Sequence, residues 1–511
     1  MTVAVVHLWR LLKWGRTLAR HGALQGIERD PLTPPNVRRL CRVARLGAAQ
    51  PAMPDYAAAL QEIGPAAIKL GQALSTRPDL VGAEAAENLL QLQDSLPPAP
   101  FPAIKSAIEQ ALEAPLESLF SRFDEEPVGA ASIAQVHHAI TTEGREVAVK
   151  VLRPGIEEEF ARAIETYEWA AAHVELLGGE AERLRPRMVI AYFKQWVRRE
   201  LDLQREAASA SELKDNMVAE PGFHVPEIDW RRTARRVLTL EWLEGVKLSK
   251  RDDLIAAGHD PKALAATLVR AFLRQAVVDG YFHADLHQGN LFALNDGRVG
   301  AVDFGIMGRI DRQARLWLAE ILYGLITGNY MRVAEIHFEA QYVPAHHDVA
   351  EFATALRAVG EPIRGLPVKE ISIGRMLDGL FSITRDFDMP TQPHLLLLQK
   401  TMVMEEGVAT ALDPDINMWE TAEPFLRDWI RTELGPEAYY ADRIVDTVRA
   451  LKLIPGILRK IDASYPSPGG APPPPPLAEI DIIERKSWMA PLAIAIGSAA
   501  AAAAMTYWLV G

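Results

Sequence analysis

The sequence predicts an α+β fold with a helical segment in front of its sheet and a transmembrane helix at its end. Three observations support this prediction. Residues 56–113 follow helical patterns, as in Tyr56–Ile63 and Ala83–Leu92. Short β-branched runs come next, among them Val147–Val151. The last residues form an uncharged apolar segment that is long enough to cross a bilayer.

The composition is that of a globular protein too large for one simple core. The chain has 511 residues, of which 49% are hydrophobic and 24% are charged, so we expect two or three folded units. The single cysteine, Cys41, excludes a disulfide framework and a cysteine-based zinc cluster, and it indicates a cytosolic protein body. The net charge of −12 argues against a nucleic-acid binder.

Residues 1–46 are basic although the whole chain is acidic. They carry nine Lys or Arg against Glu28 and Asp30. On a helix, four of these cations fall on one arc and three leucines on the other side, namely Arg10, Lys13, Arg16 and Arg20 against Leu8, Leu11 and Leu18. This pattern fits a helix on an anionic membrane surface, and it equally fits a packed helix whose basic face is in water.

Residues 487–511 form the predicted transmembrane helix. From Trp488 to Val510 there are 23 residues without a charge, and Arg485 and Lys486 stand just before them. The positive-inside rule then leaves the body of the protein in the cytoplasm. The alternative is an alanine-rich helix buried in the protein. The proline-rich residues 461–486 are expected to form an extended, semi-rigid linker.

A lysine interrupts the apolar strand pattern at position 150. It follows a run of small residues, Gly129, Ala130, Ala131 and Ser132, and the whole stretch predicts a strand, a tight loop, a strand, a turn and a strand. A lysine in such a strand either sends its ammonium group into water or finds a phosphate or carboxylate partner. Taken alone, Lys150 also fits a surface lysine on an edge strand.

The strongest chemical pattern lies between residues 282 and 305. Asp285 stands five residues before Asn290, and Asp303 begins an Asp-Phe-Gly triplet eighteen residues after Asp285. Phosphoryl transfer from ATP needs an acid near the acceptor and oxygen ligands for Mg²⁺, and these residues supply both in the order that protein kinases use. The alternatives are a structural hydrogen-bonded turn or a hydrolase metal site formed by His283, Asp285 and His287.

Two further segments offer partners for this chemistry. The helical pattern Trp196–Glu206 carries Glu200, Asp202 and Glu206, of which the two glutamates project in different directions and are unsuited to one role. By default such acids form a solvated face. Arg235–Gly245, with Glu241 and Leu243, reads as a strand and connector that would present backbone groups to adenine, or as any buried strand followed by a turn.

With these motifs in order, the chain resembles the UbiB family of atypical protein-kinase-like proteins associated with ubiquinone biosynthesis. The resemblance extends over residues 50–430 and includes two motifs that ordinary kinases lack. The segment Ile68–Gln72 matches the family's Lys-x-Gly-Gln signature through Lys69, Gly71 and Gln72. Glu200-Leu-Asp202 matches its Glu-x-Asp motif.

The resemblance implies a two-lobed kinase-like architecture. After the basic segment 1–46, residues 47–115 would form the helical extension, 116–245 the N-lobe and 246–460 the helical C-lobe, before the linker and the membrane helix. It also implies that Lys69 meets Glu200 in a lid, where Gly71, Gln72 and Asp202 also belong. Such a lid would exclude a bulky protein acceptor.

The resemblance further implies ATP or ADP and Mg²⁺ as cofactors, with these residues in named roles. Lys150 and Asp285 would be catalytic, and Asn290 and Asp303 would bind the metal. The nucleotide would be contacted by a set drawn from the small-residue loop, the strand lysine, its helix partner and the connector: Gly129, Ala130, Ala131, Ser132, Lys150, Glu206, Glu241 and Leu243. The family has an alanine where this loop begins with Gly129, which leaves its nucleotide preference open.

The implied function is that of a kinase-like or ATPase-like protein, anchored in the bacterial inner membrane by one span, that supports ubiquinone biosynthesis. Membrane lipids, ubiquinone precursors and biosynthetic enzymes are the implied partners, a homodimer is open, and nucleic acid is not expected. Two other functions fit the motifs. One is a small-molecule phosphotransferase of the aminoglycoside-kinase type, which shares the His-x-Asp-x-x-x-x-Asn loop. The other is a nucleotide-binding pseudokinase scaffold.

Overall fold

A computed structural model describes a large part of the chain. The described residues are 3–25, 35–45, 54–75, 89, 97–175, 186–364, 383, 386–389, 393–416, 424–425 and 429. The described residues divide into two compact units: those within Met1–Ala207 and Ile228–Trp242 make up the first, and those within Ala208–Glu227 and Leu243–Asp481 the second. The main division, between Trp242 and Leu243, is close to the predicted lobe boundary, whereas Ala208–Glu227 groups with the second unit rather than with the predicted N-lobe.

The described chain begins with helices, continues with groups of strands and helices through its middle, and ends with helices. The helices are α1 Val3–Arg20, α2 Pro35–Ala44, α3 Tyr56–Ile63, α4 Pro65–Ser75, α5 Phe101–Leu112, α6 Leu116–Leu119, α7 Ile156–Glu175, α8 Pro186–Glu200, α9 Leu203–Asn216, α10 Arg251–Ala256, α11 Pro261–Leu273, α12 Arg312–Thr327, α13 Tyr330–Glu339, α14 Val349–Arg364 and α15 Pro393–Leu412. The strands are β1 Phe120–Phe123, β2 Gly129–Ala130, β3 Ala134–Thr141, β4 Glu146–Leu152, β5 Phe223–His224, β6 Val237–Glu241, β7 Gly245–Lys247, β8 Tyr281–His283, β9 Leu291–Leu294, β10 Val299–Ala301 and β11 Met307–Arg309.

A five-stranded antiparallel sheet forms the centre of the first unit. Its order is β1-β3-β4-β6, with the short β2 also paired to β3. The strands, loop and turn expected around residues 128–151 are therefore present. Helix α5 covers one face of this sheet, where Ile104 and Ile108 pack with Val149 and Val151. Because side chains alternate along a strand, Lys150 points to the other face.

The N-terminal helix α1 packs against the first unit. Leu11 and Leu18 are buried, and His7 Nδ1 lies 3.0 Å from Thr166 Oγ1 on α7. Arg10 donates a hydrogen bond to the Arg162 carbonyl oxygen at 3.0 Å. Of the two expectations for this helix, packing is thus observed on one side. Another side of α1, which carries Trp9 and Leu12, is exposed.

The second unit contains two smaller sheets and the remaining helices. One sheet has the order β5-β10-β9-β7, in which β5 and β10 are parallel, and the other pairs β8 with β11. Helix α15 packs along α11 and contacts β11. The loop between β8 and β9 carries the predicted catalytic segment, and β10 leads into Asp303.

Within the residues that the structure describes, no helix has the length and apolarity needed to cross a membrane. The predicted linker 461–486 and the predicted membrane helix 487–511 lie outside those residues. The same holds for the predicted helix at 83–92, apart from Leu89, and for the end of the predicted C-lobe.

Helix α15 contains a buried carboxyl group at Glu405. The residue has no solvent exposure, and neither carboxyl oxygen has a hydrogen-bond partner among the described residues. Burial raises the pKa of Glu405 well above its ordinary value of 4.5, so the group is held in its neutral form. A buried polar group without a partner costs about 1–3 kcal/mol of stability.

We expect Glu405→Gln to change how stability depends on pH. In the native protein Glu405 keeps a proton that the unfolded chain releases above pH 4.5, so its contribution to stability is lost as the pH rises above that value. Glutamine has no ionisable group, so the stability of Glu405→Gln has no such dependence on pH at this position. The difference in thermal midpoint between Glu405→Gln and the parent protein should therefore grow from pH 5 to pH 8. Glu351→Gln, on the exposed start of α14, is the control, and a difference that is constant with pH would contradict the expectation.

Candidate active site

Lys150 makes a buried ion pair in the first unit. Its ammonium nitrogen lies 2.8 Å from Glu206 Oε1 and 3.0 Å from Oε2. Glu206 stands in the first turn of α9 and is 7% exposed. The carboxylate fixes the ammonium group in one position on the face of the sheet opposite the α5 core. A fixed lysine of this kind can bind a phosphate group, since charge-assisted hydrogen bonds to phosphate are strong.

The small-residue loop joins β2 to β3 in the same sheet. The Ala131 N–H donates to the Ala134 carbonyl oxygen at 2.8 Å, and Arg153 Nε donates to the Ala131 carbonyl oxygen at 2.8 Å. These bonds hold the tight turn, and Ser132 within it is fully buried. Gly129 is exposed, and a Cβ added there would meet no heavy atom within 4 Å. The glycine is therefore not required by packing.

A two-residue break, Leu201 and Asp202, separates Glu200 from the helix that carries Glu206. The sequence pattern predicts one helix through Trp196–Glu206, whereas α8 ends at Glu200 and α9 starts at Leu203. The Leu203 N–H donates to the carbonyl oxygen of Arg235, a residue outside the helix, at 2.9 Å. Glu200 and Glu206 therefore belong to separate helices, and each pairs with a different lysine.

Glu200 pairs with Lys69, and this pair is also buried. Lys69 Nζ lies 2.8 Å from Glu200 Oε1, with side-chain exposures of 8% and 13%. The ammonium nitrogen also lies 5.9 Å from the centre of a Trp196 ring. The contact that the resemblance implies between the extension and the Glu-x-Asp motif is therefore present in the first unit.

The other motif residues lie close to this pair in sequence. Gln72 follows Lys69 by three residues on α4, so both occupy one face, and Gly71 is buried between them. Asp202 lies in the helix break. Its Oδ1 atom is buried without a hydrogen-bond partner among the described residues, and its Oδ2 lies 3.7 Å from Arg205 Nε. A buried oxygen of this kind is a candidate contact for a bound ion or ligand.

In the second unit, His283 anchors the catalytic loop. The Asp285 N–H donates to His283 Nδ1 at 3.1 Å, so Nδ1 carries no proton, and Nε2 lies 3.4 Å from the Val302 carbonyl oxygen. The ring is fully buried, and burial lowers the pKa of His283, which keeps it neutral. The neutral imidazole thus ties the loop to the residue before Asp303.

Neither loop histidine is arranged as a metal ligand. Both His283 nitrogens face backbone groups, and His287 Nδ1 accepts a hydrogen bond from the Gly289 N–H at 3.0 Å. His283, Asp285 and His287 do not form a three-ligand cluster within the part of the chain that the structure describes. The structure favours the hydrogen-bonded turn over the hydrolase metal site.

Asn290 fixes the far end of the loop. Its side-chain amide nitrogen donates to the backbone carbonyl oxygen of Asp285 at 3.2 Å. The backbone carbonyl oxygen of Asn290 accepts from the Val302 N–H at 2.9 Å. The side chain is 9% exposed. With the nitrogen engaged in the loop, the amide oxygen is the atom suited to a hard cation such as Mg²⁺.

Asp303 follows β10 in an uncommon backbone conformation. Its φ angle is 66°, in the left-handed region that Asp and Asn tolerate better than most residues. The side chain is exposed, whereas the next residue, Phe304, is buried with its ring 5.4 Å from that of His283. The buried ring holds the triplet in place and the turn exposes the carboxylate. Strain of this kind is common at functional sites.

The remaining predicted contacts lie at the division between the units. Glu241 is the last residue of β6 and is paired in register with Val147, in the first unit. Leu243 begins the second unit, where a Cβ added to Gly300 would come within 3.0 Å of its Cδ1 atom. Both side chains are half-buried.

The structure adds Lys400 to the residues found by sequence. Its ammonium nitrogen lies 3.4 Å from Asp285 Oδ1 in the second unit. Lys400 is the one charged residue between Leu395 and Met404. Like Lys150, it must send its ammonium group into water or find a phosphate or carboxylate partner. A separation of 115 residues from Asp285 hides the pairing from a reading of local motifs.

The comparisons with known proteins agree with this geometry. Residues 91–337 match the family model of the ABC1 atypical kinase-like domain, and residues 356–417 match that of the UbiB helical domain. A curated protein of Marinobacter nauticus, named "Probable protein kinase UbiB", is 42% identical over 382 residues, which cover 74% of this chain and 70% of that protein. The chain belongs to the UbiB family. Its fold is the mixed helical and sheet fold of a kinase-like protein.

A solved structure is also similar to this UbiB protein. It is described as the complex structure of Rv3197-erythromycin from Mycobacterium tuberculosis, with 25% sequence identity, a TM-score of 0.49, and coverage of 71% of this chain and 93% of that one.

We expect the Lys69–Glu200 pair to respond as a buried ion pair does. Lys69→Met leaves Glu200 without its ammonium partner and should cost about 3–5 kcal/mol, while the double variant Lys69→Met/Glu200→Gln should lose less than the single one. Thermal unfolding measures both. Lys194→Met is the control, because its pair with Glu168 is half-exposed at 2.7 Å and should contribute at most about 1 kcal/mol. Equal losses of stability in Lys69→Met and Lys194→Met would show that burial does not strengthen the Lys69–Glu200 pair.

Proposed function

We propose that this UbiB-family protein binds ATP with Mg²⁺ and transfers or hydrolyses its terminal phosphate in support of ubiquinone biosynthesis. The observation that carries the proposal is the buried Lys150–Glu206 pair. An ammonium group fixed at 2.8 and 3.0 Å from a carboxylate is the arrangement with which kinase-like proteins bind the inner phosphates of ATP. Family membership supports the pathway.

The catalytic loop supplies the other groups that this reaction needs. Asp285 is held by the His283 and Asn290 hydrogen bonds and is suited to accept a proton from the attacking group. Asn290 and Asp303 offer hard oxygen ligands, which fit Mg²⁺, and the bound ion would neutralise charge on the phosphates. These residues lie at two ends of one hydrogen-bonded segment, so their positions are interdependent.

The acceptor we propose is water or a small molecule rather than a protein. Lys69 and Glu200 join the N-terminal extension to the end of α8, two residues before the helix that carries Glu206. The two buried ion pairs therefore depend on consecutive helices. An extension fixed this close to the lysine site restricts access for a large acceptor.

Membrane association forms the second part of the proposal, and α1 supports it. Its exposed side carries apolar residues, with Trp9 63% and Leu12 51% exposed, and it continues into the exposed cations Lys13 and Arg16. An apolar patch beside basic residues binds anionic membrane surfaces. With the predicted helix at 487–511, we propose attachment to the bacterial inner membrane with the body in the cytoplasm.

We expect Asp303→Asn to remove Mg²⁺-dependent nucleotide binding. Asn tolerates the left-handed backbone at φ 66°, so the variant tests the charge and not the fold. In a thermal-shift assay, the added rise in midpoint that Mg²⁺ gives in the presence of ATP should disappear. Asp252→Asn, on the exposed start of α10, is the control. An unchanged Mg²⁺-dependent rise would remove Asp303 from the metal site.

The same variant tests the pathway in cells. A deletion strain should regain ubiquinone, measured by mass spectrometry, with the parent protein and not with Asp303→Asn. Rescue by both would favour the nucleotide-binding scaffold without turnover. Unchanged ubiquinone in the deletion strain of an organism without a second family member would reject the pathway.

We expect Trp9→Ser/Leu12→Ser to weaken membrane binding. Transfer of either side chain into the membrane contributes about 1.5–3 kcal/mol, so vesicle binding should fall at least about tenfold. Co-sedimentation with vesicles containing phosphatidylglycerol, using the full chain and a chain ending at residue 486, measures the effect. Trp230→Ser is the matched control, because Trp230 is 52% exposed elsewhere in the first unit. Equal binding by the two variants of the shortened chain would contradict this role of α1.

A further inference from the structure

The catalytic loop contains no lysine or arginine. From His283 to Asn290 its residues are His, Ala, Asp, Leu, His, Gln, Gly and Asn. Both ring nitrogens of His283 face backbone groups, and His287 uses Nδ1 to accept the Gly289 N–H. Phosphoryl transfer builds negative charge on the phosphate, and enzymes of this class place a cation beside it in addition to the metal. A cation for this position must come from another part of the chain.

Lys400 brings a cation to the loop. Its Nζ atom lies 3.4 Å from Asp285 Oδ1, and its side chain is 33% exposed. An ammonium group has three N–H donors, and the bond to Asp285 uses one of them. The group therefore combines a fixed position beside the catalytic acid with access to solvent, where a phosphate would be bound.

The stability of the protein does not account for this lysine. Three of its neighbours on α15 are buried, with Leu398 3%, Thr401 0% and Met402 7% exposed, whereas Val403 is 44% exposed. An ion pair as exposed as Lys400–Asp285 contributes about 0–1 kcal/mol. A partly exposed lysine that contributes so little to stability is available to bind a ligand.

We propose that Lys400 binds the terminal phosphate of the nucleotide, the group that is transferred or hydrolysed. The inference rests on the proposed function, since it needs a nucleotide at Asp285. Lys400 lies on α15, in the region that matches the helical-domain model and outside the kinase-like match. The helical domain thus completes the phosphate site.

Comparison of two nucleotides tests the proposal. ADP lacks the terminal phosphate, so Lys400→Gln should weaken the binding of a non-hydrolysable ATP analogue about tenfold, which corresponds to about 1.4 kcal/mol, and change ADP binding less than about twofold. Lys400→Arg keeps the charge and should retain most of the affinity. Calorimetric titration of the full-length protein with Mg²⁺ gives both affinities.

Three results would overturn the proposal. Equal weakening of both nucleotides would indicate a general effect on the site, and no weakening would remove Lys400 from it. Slower turnover with unchanged affinity for the ATP analogue would make Lys400 a positioning residue for Asp285. A parent protein that binds neither nucleotide would overturn the proposed function itself, so the two failures are distinguishable.

Lys262→Gln is the matched control. Lys262 lies in the same unit, and its Nζ atom is 3.7 Å from Asp413 Oδ1, one residue beyond the end of α15. The variant removes a charge near the same helix without touching the catalytic loop. It should leave both affinities unchanged, and a loss of ATP-analogue affinity equal to that of Lys400→Gln would also contradict a specific phosphate contact.

Discussion

The first unit depends on a two-residue interruption between α8 and α9. If the helix continued through Leu201 and Asp202, Glu200 and Glu206 would project in different directions from a single rigid rod. The break lets one acid reach Lys69 and the other reach Lys150, at 2.8 Å in each case. Each lysine is costly to bury alone, and each carboxylate removes that cost for one lysine. The N-terminal extension and the strand that carries Lys150 are thereby fixed by neighbouring turns of the same chain segment.

In the second unit, hydrogen bonds to backbone atoms hold in place the segment that carries Asp285 and Asp303. The neutral His283 ring joins the Asp285 backbone to Val302, and Asn290 joins the Asp285 carbonyl oxygen to the same strand end. These bonds use backbone atoms. None of these bonds uses a carboxylate oxygen of Asp285, and the strained backbone at Asp303 is held by the buried Phe304 ring.

Local patterns were sufficient for some features and not for others. The strand around Lys150 and the helix Tyr56–Ile63 follow from periodicity, because their neighbours in sequence determine them. The interruption at Leu201 could not be read from the helical pattern, since it depends on the bond from Leu203 to Arg235. For α1, the charge pattern allowed two interpretations, a helix on a membrane surface and a packed helix with its basic face in water, and tertiary contacts such as His7 with Thr166 identify the packed side. The pairing of Lys400 with Asp285 could not be predicted either, because no sequence pattern near Lys400 indicates its partner.

Helix α15 shows how one apolar element treats two ionisable groups in opposite ways. Glu405 is fully buried, has no hydrogen-bond partner among the described residues and is kept neutral, whereas Lys400, five residues earlier, reaches Asp285 and solvent. Burial of Glu405 is tolerated because protonation removes its charge, whereas the Lys400 ammonium group lies beside the Asp285 carboxylate. The ammonium charge must therefore be placed where a counter-charge exists. The part of the chain that matches the helical-domain model therefore contacts the part that matches the kinase-like model, because Lys400 lies beyond residue 337 and its ammonium nitrogen is 3.4 Å from Asp285 Oδ1.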